Sequence, residues 1–385
     1  MKIRTGNPVR GENFFVRKHL IDKVWERIES GYNLLLVAPR RVGKTSLMFY
    51  LMDNPKENYN FLFINVESVT TENEFYRRLL SNLVSSEFVK FIYKSENFIK
   101  EHLPIIKKIG PDGVTFDTKD NYNFHEAFDT ILKRLNLKDK KLIILLDEFS
   151  EATESIRIDY SDRDAIHFLH TNREIRLSDK INNVQFIYSG SIGLENIVKK
   201  INATHIIDDI TPLKIEPLRK EEAFELISLL LETVSFKLSV SSINYILEKI
   251  KWLIPFYIQL ILQSLKDLSK EKNVNVIDEK LIDEAFSVSI ENINQFELWH
   301  TRLRKSLKKN EYNFAKELLN IISEKETIES NEIYDLAIKH DLEDDYKDIV
   351  ASLVYDGYIN NNDEVKIYRY NSPILRMWWW KYVTN

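Results

Sequence analysis

Apolar positions along this chain keep two rhythms. Short unbroken runs occur at Leu34–Val37, Phe61–Val66, Leu142–Leu146 and Val184–Tyr188. Such runs, bounded by polar or turn residues, predict strands covered on both faces, as in a parallel sheet. Ile206–Ile215 predicts a last strand, with Pro212 and Pro217 marking its limits. Between the runs, apolar residues recur every three or four positions. His19–Ile28 carries Leu20, Ile21, Val24, Trp25 and Ile28, a helical stripe closed by Gly31. Ser46–Met52, Thr70–Ile105, Phe124–Leu135 and Asp162–Leu177 read as helices too, and Gly110–Asp120 is turn-rich with room for a short strand. The long excursion at roughly residues 70–137 therefore reads as an inserted subregion.

From Leu218 the pattern changes. Helices are expected at Arg219–Thr233, Val240–Trp252, Pro255–Asp267 and Asp278–Val288. Pro255 suits the first turn of its helix. Thr301–Lys309, with five basic residues, is a linker to three further helices at Glu311–Ser323, Asn331–Lys339 and Glu343–Tyr355. A hairpin through Gly357–Ile359, the Asn360–Asp363 turn and Val365–Tyr370 follows, completing a winged helix-turn-helix pattern. The expected organisation is an α/β domain over residues 1–217, an all-α lid over 218–300 and a winged-helix domain over 301–385. The tail holds Trp378, Trp379 and Trp380, a docking surface or a cap on the core.

Composition narrows the chemistry. The 385 residues are 44% hydrophobic and 29% charged, as in an ordinary soluble protein of two or three domains. There is no cysteine, which excludes disulfides, thiolate catalysis and thiolate zinc sites. A net charge of −5 gives no global basic field for nucleic acid or membrane. No signal pattern or spanning run is evident, so a cytoplasmic location is expected.

Two stretches carry the candidate chemistry. The first is Leu34–Leu47, a strand, a short loop ending in Gly43-Lys44-Thr45, and a helix. This is the grammar of a phosphate-binding loop, in which backbone N–H groups wrap phosphates at a helix N-terminus. Lys44 would neutralise the β and γ oxygens, and the Thr45 hydroxyl would ligate Mg²⁺. The loop contributes Pro39, Arg40, Arg41, Val42 and Gly43, with Ser46 in the helix. Position 38 is alanine rather than the usual glycine. A residue before proline favours extended backbone, so Ala38 can end the strand without a positive φ. The second stretch is Lys141–Phe149, an apolar strand ending in Asp147 and Glu148. Parallel strands deliver such residues to the ligand edge of the sheet. There Asp147 can hold Mg²⁺ through water, and Glu148 can orient or deprotonate an attacking water. Ser189-Gly190-Ser191 ends the next strand, beside the expected γ-phosphate. Arg173 and Arg176 share a helix face, either as solvated charges or as an arginine that reaches the γ-phosphate in cis or from a neighbouring subunit. Phe14–Arg17 is either part of the leading structure or packs against a bound base.

With these pieces placed, the chain resembles the prokaryotic ATPases of the STAND/AAA-like superclass, the archaeal and bacterial AAA ATPases with a C-terminal winged helix. The resemblance covers essentially the whole chain. It rests on Asn7-Pro8-Val9 with Phe14–Arg17, on Ala38–Leu47, on Leu145–Glu148, on Ser189–Ser191, on Pro255-Phe256-Tyr257 and on Tyr370–Trp379. It implies ATP or ADP bound between core and lid. It also implies Arg17 near the adenine side, Asp147 and Glu148 as metal and water carboxylates, Ser189 or Ser191 as sensor, and Pro255 contacting nucleotide from the lid. Val16-Arg17-Lys18 and Leu253-Ile254-Pro255 depart from the family pattern, which has Gly-Arg-Glu at the first and a glycine before the lid proline at the second.

The expectation is a nucleotide-dependent switch that hydrolyses ATP slowly and works through protein partners or self-association. The alternatives are a DNA-binding replication-initiator-like ATPase and an ADP-locked scaffold. DNA binding is disfavoured because Asp341–Asp356 holds six acids and one base, Lys347, where a recognition helix would meet phosphates. The linker Arg302–Lys309 remains a candidate for nonspecific phosphate contact.

Overall fold

The computed structural model describes the chain except residues 93–105, 111–112, 117–121, 136, 138 and 292. The chain divides into two compact units. One comprises Met1–Arg17, Ala38–Gly43 and Glu216–Asn385; the other comprises Lys18–Val37 and Lys44–Ile215.

The second unit is built on a parallel sheet. Its strands are β1 (Asn33–Val37), β2 (Tyr59–Asn65), β5 (Lys141–Asp147), β6 (Val184–Ser189) and β7 (Ile210–Lys214), in the order β2-β5-β6-β1-β7. The apolar runs form strands because the sheet is covered on both faces: Leu142 to Leu146 of the central β5 are all fully buried. Burying each such side chain contributes about 1.5–3 kcal/mol. The amide nitrogen of buried Gln185 donates to the carbonyls of Ile28 and Tyr32, at 3.1 and 3.0 Å, which ties the Lys18–Glu29 helix to the sheet. The Glu72–Ser85 helix and the Phe124–Arg134 helix bury Phe75, Tyr76, Leu79, Phe128 and Ile131 in the same core. A two-stranded antiparallel pair, β3 (Ile106–Gly110) and β4 (Gly113–Phe116), lies in the excursion.

Two expectations need correction here. The stretch Thr70–Ile105 is not one helix: it breaks at Ser86, where the backbone is extended, and a second helix runs Glu87–Ile92. The remainder of that helix expectation, and most of Gly110–Asp120, lies outside the described residues. Pro212 does not limit the last strand but sits inside it, opposite Leu35. It is tolerated because β7 is an edge strand paired only with β1, so a missing N–H costs no ladder bond on the open side. The first part of the expected strand is a 3₁₀ turn at Thr204–Ile207.

The first unit is helical over most of its length. Helices at Lys220–Leu231, Val240–Ile250, Pro255–Lys272, Glu279–Ser289 and Ile293–Ser306 follow one another. Pro255 occupies the first turn of its helix, and Asn273 closes that helix in a left-handed conformation. The C-terminal part then sets helices Lys309–Lys325, Ser330–Lys339 and Tyr346–Tyr355 against an antiparallel sheet of β8 (Thr327–Glu329), β10 (Ile367–Tyr370) and β9 (Ile359–Asn360). Trp378 and Trp379 are fully buried on the Pro373–Trp379 helix, and Trp380 is half exposed. The tail therefore caps a core. Among the described residues, no helix is long and apolar enough to cross a membrane.

Candidate functional site

The carboxyl ends of β1, β5 and β6 lie side by side. Leu36 is in register with Ser189, and Leu146 with Tyr188, so Asp147 comes opposite Ser189 at the sheet edge. The Ser189 hydroxyl donates to Asp147 Oδ1, and the Thr45 hydroxyl donates to Asp147 Oδ2 at 2.9 Å. Thr45 is the second residue of the Lys44–Asp53 helix, whose first residue, Lys44, is buried. Asp147 is 3% exposed. Burial raises its pKa above the ordinary carboxylate value, against the two hydroxyl donors and the Lys44 charge, while neighbouring Glu148 adds to the rise. A buried carboxylate and a hydroxyl at 2.9 Å form a compact hard-oxygen pair that suits Mg²⁺, which is held by one or two protein oxygens with waters and phosphates. Among the described residues, no cluster of three or more His, Cys, Asp or Glu could hold a metal by itself.

Glu148 leaves the strand with φ +61°, a left-handed conformation rare for a residue with a side chain. This turn starts the Phe149–Asp159 helix. The Glu148 carboxylate Oε2 accepts from the Ser191 backbone N–H at 2.8 Å and from its hydroxyl at 3.0 Å. Glu151, one turn into the helix, accepts from the same Ser191 N–H at 2.8 Å and from the Ile192 N–H at 2.9 Å, and competes with Glu148 for the single proton of the Ser191 hydroxyl. Gly190 is required between them. A Cβ there would lie 2.2 Å from Ser150 Oγ and 2.6 Å from Ser150 Cβ. The strand-end position pointed to Ser189 and Ser191 but not to Glu151 or to this reason for Gly190. The only trace of either in the sequence is the small-residue triplet at a strand end.

The loop Ala38–Gly43 groups with the first unit. It is left-handed at Arg41, φ +65°, and at Gly43, φ +109°. Repeated left-handed turns of this kind gather backbone N–H groups into anion-binding concavities. Ala38 and Val42 are buried, and Arg40 is partly so. The Arg41 guanidinium lies 3.9 Å from the centre of the Phe256 ring, next to Pro255. Burial, with the like charges of Arg40 and Arg302, lowers Arg41 to about 10, so it remains a cation at neutral pH.

The other expected site residues lie elsewhere. Arg17 is buried, and its guanidinium donates to the carbonyls of Glu216 at 2.7 Å and Pro217 at 3.2 Å, with Glu222 at 3.7 Å. It joins the N-terminal segment to the start of the helical region. Arg173 binds the His205 carbonyl and Asp208, at 2.6 Å for the latter. Arg176 pairs with Asp209 at 2.6 and 2.9 Å and is almost fully buried. Both arginines anchor the approach to β7 rather than standing at the carboxyl edge beside Asp147. Ser46 is buried in the helix behind Lys44.

No protein-family model matches the chain, and no curated protein matches its sequence. Solved structures do. A Walker-type ATPase of Pyrococcus abyssi is 19% identical, with a TM-score of 0.67 over 98% of this chain and 99% of that one. The ORC2 protein of Aeropyrum pernix, solved as ADPNP–ADP complexes, is 13% identical, with a TM-score of 0.58 over 96% of this chain and 94% of that one. At these identities the likeness concerns the fold. Together with the five-stranded parallel sheet and its edge, it shows that the chain has the α/β fold of the P-loop nucleoside triphosphatases, with an all-α region after the sheet.

Proposed function

We propose that the chain is a Mg²⁺-dependent ATPase of STAND/AAA-like type that turns over slowly and uses its nucleotide state as a switch. The observation that carries this reading is the line Thr45–Asp147–Ser189 beside Lys44, with Glu148 held by Ser191 next to it. Lys44 and the loop residues Pro39 to Gly43 bind the phosphates. Thr45 and Asp147 would hold Mg²⁺, which supplies neutralisation of phosphate charge when bound. Glu148 takes the proton of the attacking water, and Ser191 keeps that carboxylate in place through two hydrogen bonds. Glu151 fixes Ser191 from the other side. ATP and ADP are the ligands, and the cytoplasm is the compartment such an activity implies. Arg173 acts only if a neighbouring subunit presents it.

The domain reading that accompanies this function divides the chain at 217/218 and 300/301, with residues 301–385 as a winged-helix domain. Three helices and the β8-β10-β9 sheet support it. Its candidate recognition helix, Tyr346–Tyr355, is approached by exposed Asp341, Glu343, Asp344 and Asp345 and carries exposed Asp348. Such a face repels a phosphate backbone, so protein contact or self-association is the output this domain serves. The reading is tested by phosphate release from ATP with Mg²⁺ and with a chelator. Slow, Mg²⁺-dependent release supports it, and nucleotide retained with no release supports an ADP-locked scaffold instead.

A further inference from the structure

Two residues of the phosphate loop have partners far along the chain but within their own unit. Pro39 lies beneath Gly357: a Cβ on that glycine would come within 2.8 Å of Pro39 Cβ and 2.7 Å of Trp252 Cη2. Arg41 sets its guanidinium over the Phe256 ring at 3.9 Å. Phe256 cannot easily turn away, because it is 4% exposed and packed edge-on against Tyr257 and Phe296, with ring centres 5.2 and 6.4 Å apart. Arg41 needs such a hold. Its φ of +65° is disfavoured for any residue with a Cβ and persists only where the surroundings enforce it. A cation over an aromatic face, removed from water, is an attraction of the right kind to do so.

We propose that Phe256 is a positioning residue for the phosphate loop: by holding the Arg41 side chain it fixes the left-handed turn at Arg41, and so sets the affinity of the loop for nucleotide phosphates. The proposal rests on the reading of Ala38–Gly43 as a phosphate loop. Phe256 would then act on nucleotide affinity through Arg41.

The test is an equilibrium titration with a fluorescent ATP analogue and Mg²⁺. Phe256→Leu keeps an apolar side chain and removes the ring. It should weaken binding roughly five-fold, equivalent to about 1 kcal/mol. Phe256→Tyr, which keeps the ring, should bind as the parent does. In an Arg41→Gly background the turn no longer needs the ring, because glycine adopts positive φ freely. There the Leu change at 256 should alter affinity by less than about two-fold. A Phe256→Leu chain that binds as tightly as the parent overturns the proposal. So does an equal loss in both backgrounds, since that is what a merely structural role gives. If Phe256→Leu does not fold, Arg41→Gln against Arg41→Gly carries the test. The Gly variant should bind the more tightly, and equal affinities overturn the proposal. A parent chain that binds no analogue overturns the nucleotide reading itself, an outcome distinct from all of these.

Discussion

At the scale of single residues, Asp147 carries the clearest tension. It is buried where a charge is costly, and that burial raises its pKa. A carboxyl with a raised folded pKa binds its proton more tightly in the folded chain than in the unfolded one. Its contribution to stability is therefore present below the ordinary carboxylate pKa and is lost as pH rises through the raised value. At neutral pH the ionised group is a cost that a bound cation would relieve. Asp147→Asn should leave the thermal midpoint of the ligand-free chain unchanged or higher. It should also remove most of the stabilisation by Mg²⁺ and ATP, which at a hundred times Kd is worth about 2.7 kcal/mol, or roughly 5–10 °C. Differential scanning calorimetry at pH 7 checks both halves. Lys44→Ala should weaken nucleotide binding more than about ten-fold, since it removes the cation closest to the phosphates. Titration calorimetry with ATP measures this directly, and unchanged affinity would remove Lys44 from the site.

At the scale of elements, the junction between β6 and the Phe149–Asp159 helix is the tightest part of the site. Gly190→Ala places a methyl group 2.2 Å from Ser150 Oγ. The repacking should cost about 1–3 kcal/mol, a loss of roughly 3–10 °C in thermal midpoint. Turnover should fall with it, because Ser191 carries Glu148. Calorimetry and phosphate release on the same sample check the pairing. This junction also shows where sequence reading stops. The runs at Leu34–Val37 and Leu142–Leu146 were legible because a strand buried on both faces must be apolar along its whole length. The loop and Asp147-Glu148 were legible because their chemistry sits in contiguous residues. Glu151, and the contacts made by Gly190 and Phe256, were not, since each acts across the fold in a way that no local pattern encodes. Strand β8 is three residues long, too short for any alternation to register. Pro212 was misplaced because its meaning depends on which strand is at the edge.

At the scale of the whole molecule, charge decides between outputs. The net charge is −5, and the approach to the Tyr346–Tyr355 helix is acidic and exposed. Fluorescence anisotropy with a labelled duplex at about 50 mM salt should show no salt-dependent binding. Binding that weakens steeply as salt rises would instead favour an initiator-like role. The central claim is that Lys44, Thr45, Asp147 and Glu148 form a working Mg²⁺–ATP site whose water is activated by Glu148. Single-turnover hydrolysis of ATP by the parent chain and by Glu148→Gln tests it most directly. General-base catalysis of this kind is worth about 10²–10⁴-fold. The account predicts slow cleavage by the parent, and a variant that binds ATP equally well but cleaves it at least about a hundred-fold more slowly. Equal cleavage rates in the two would contradict it.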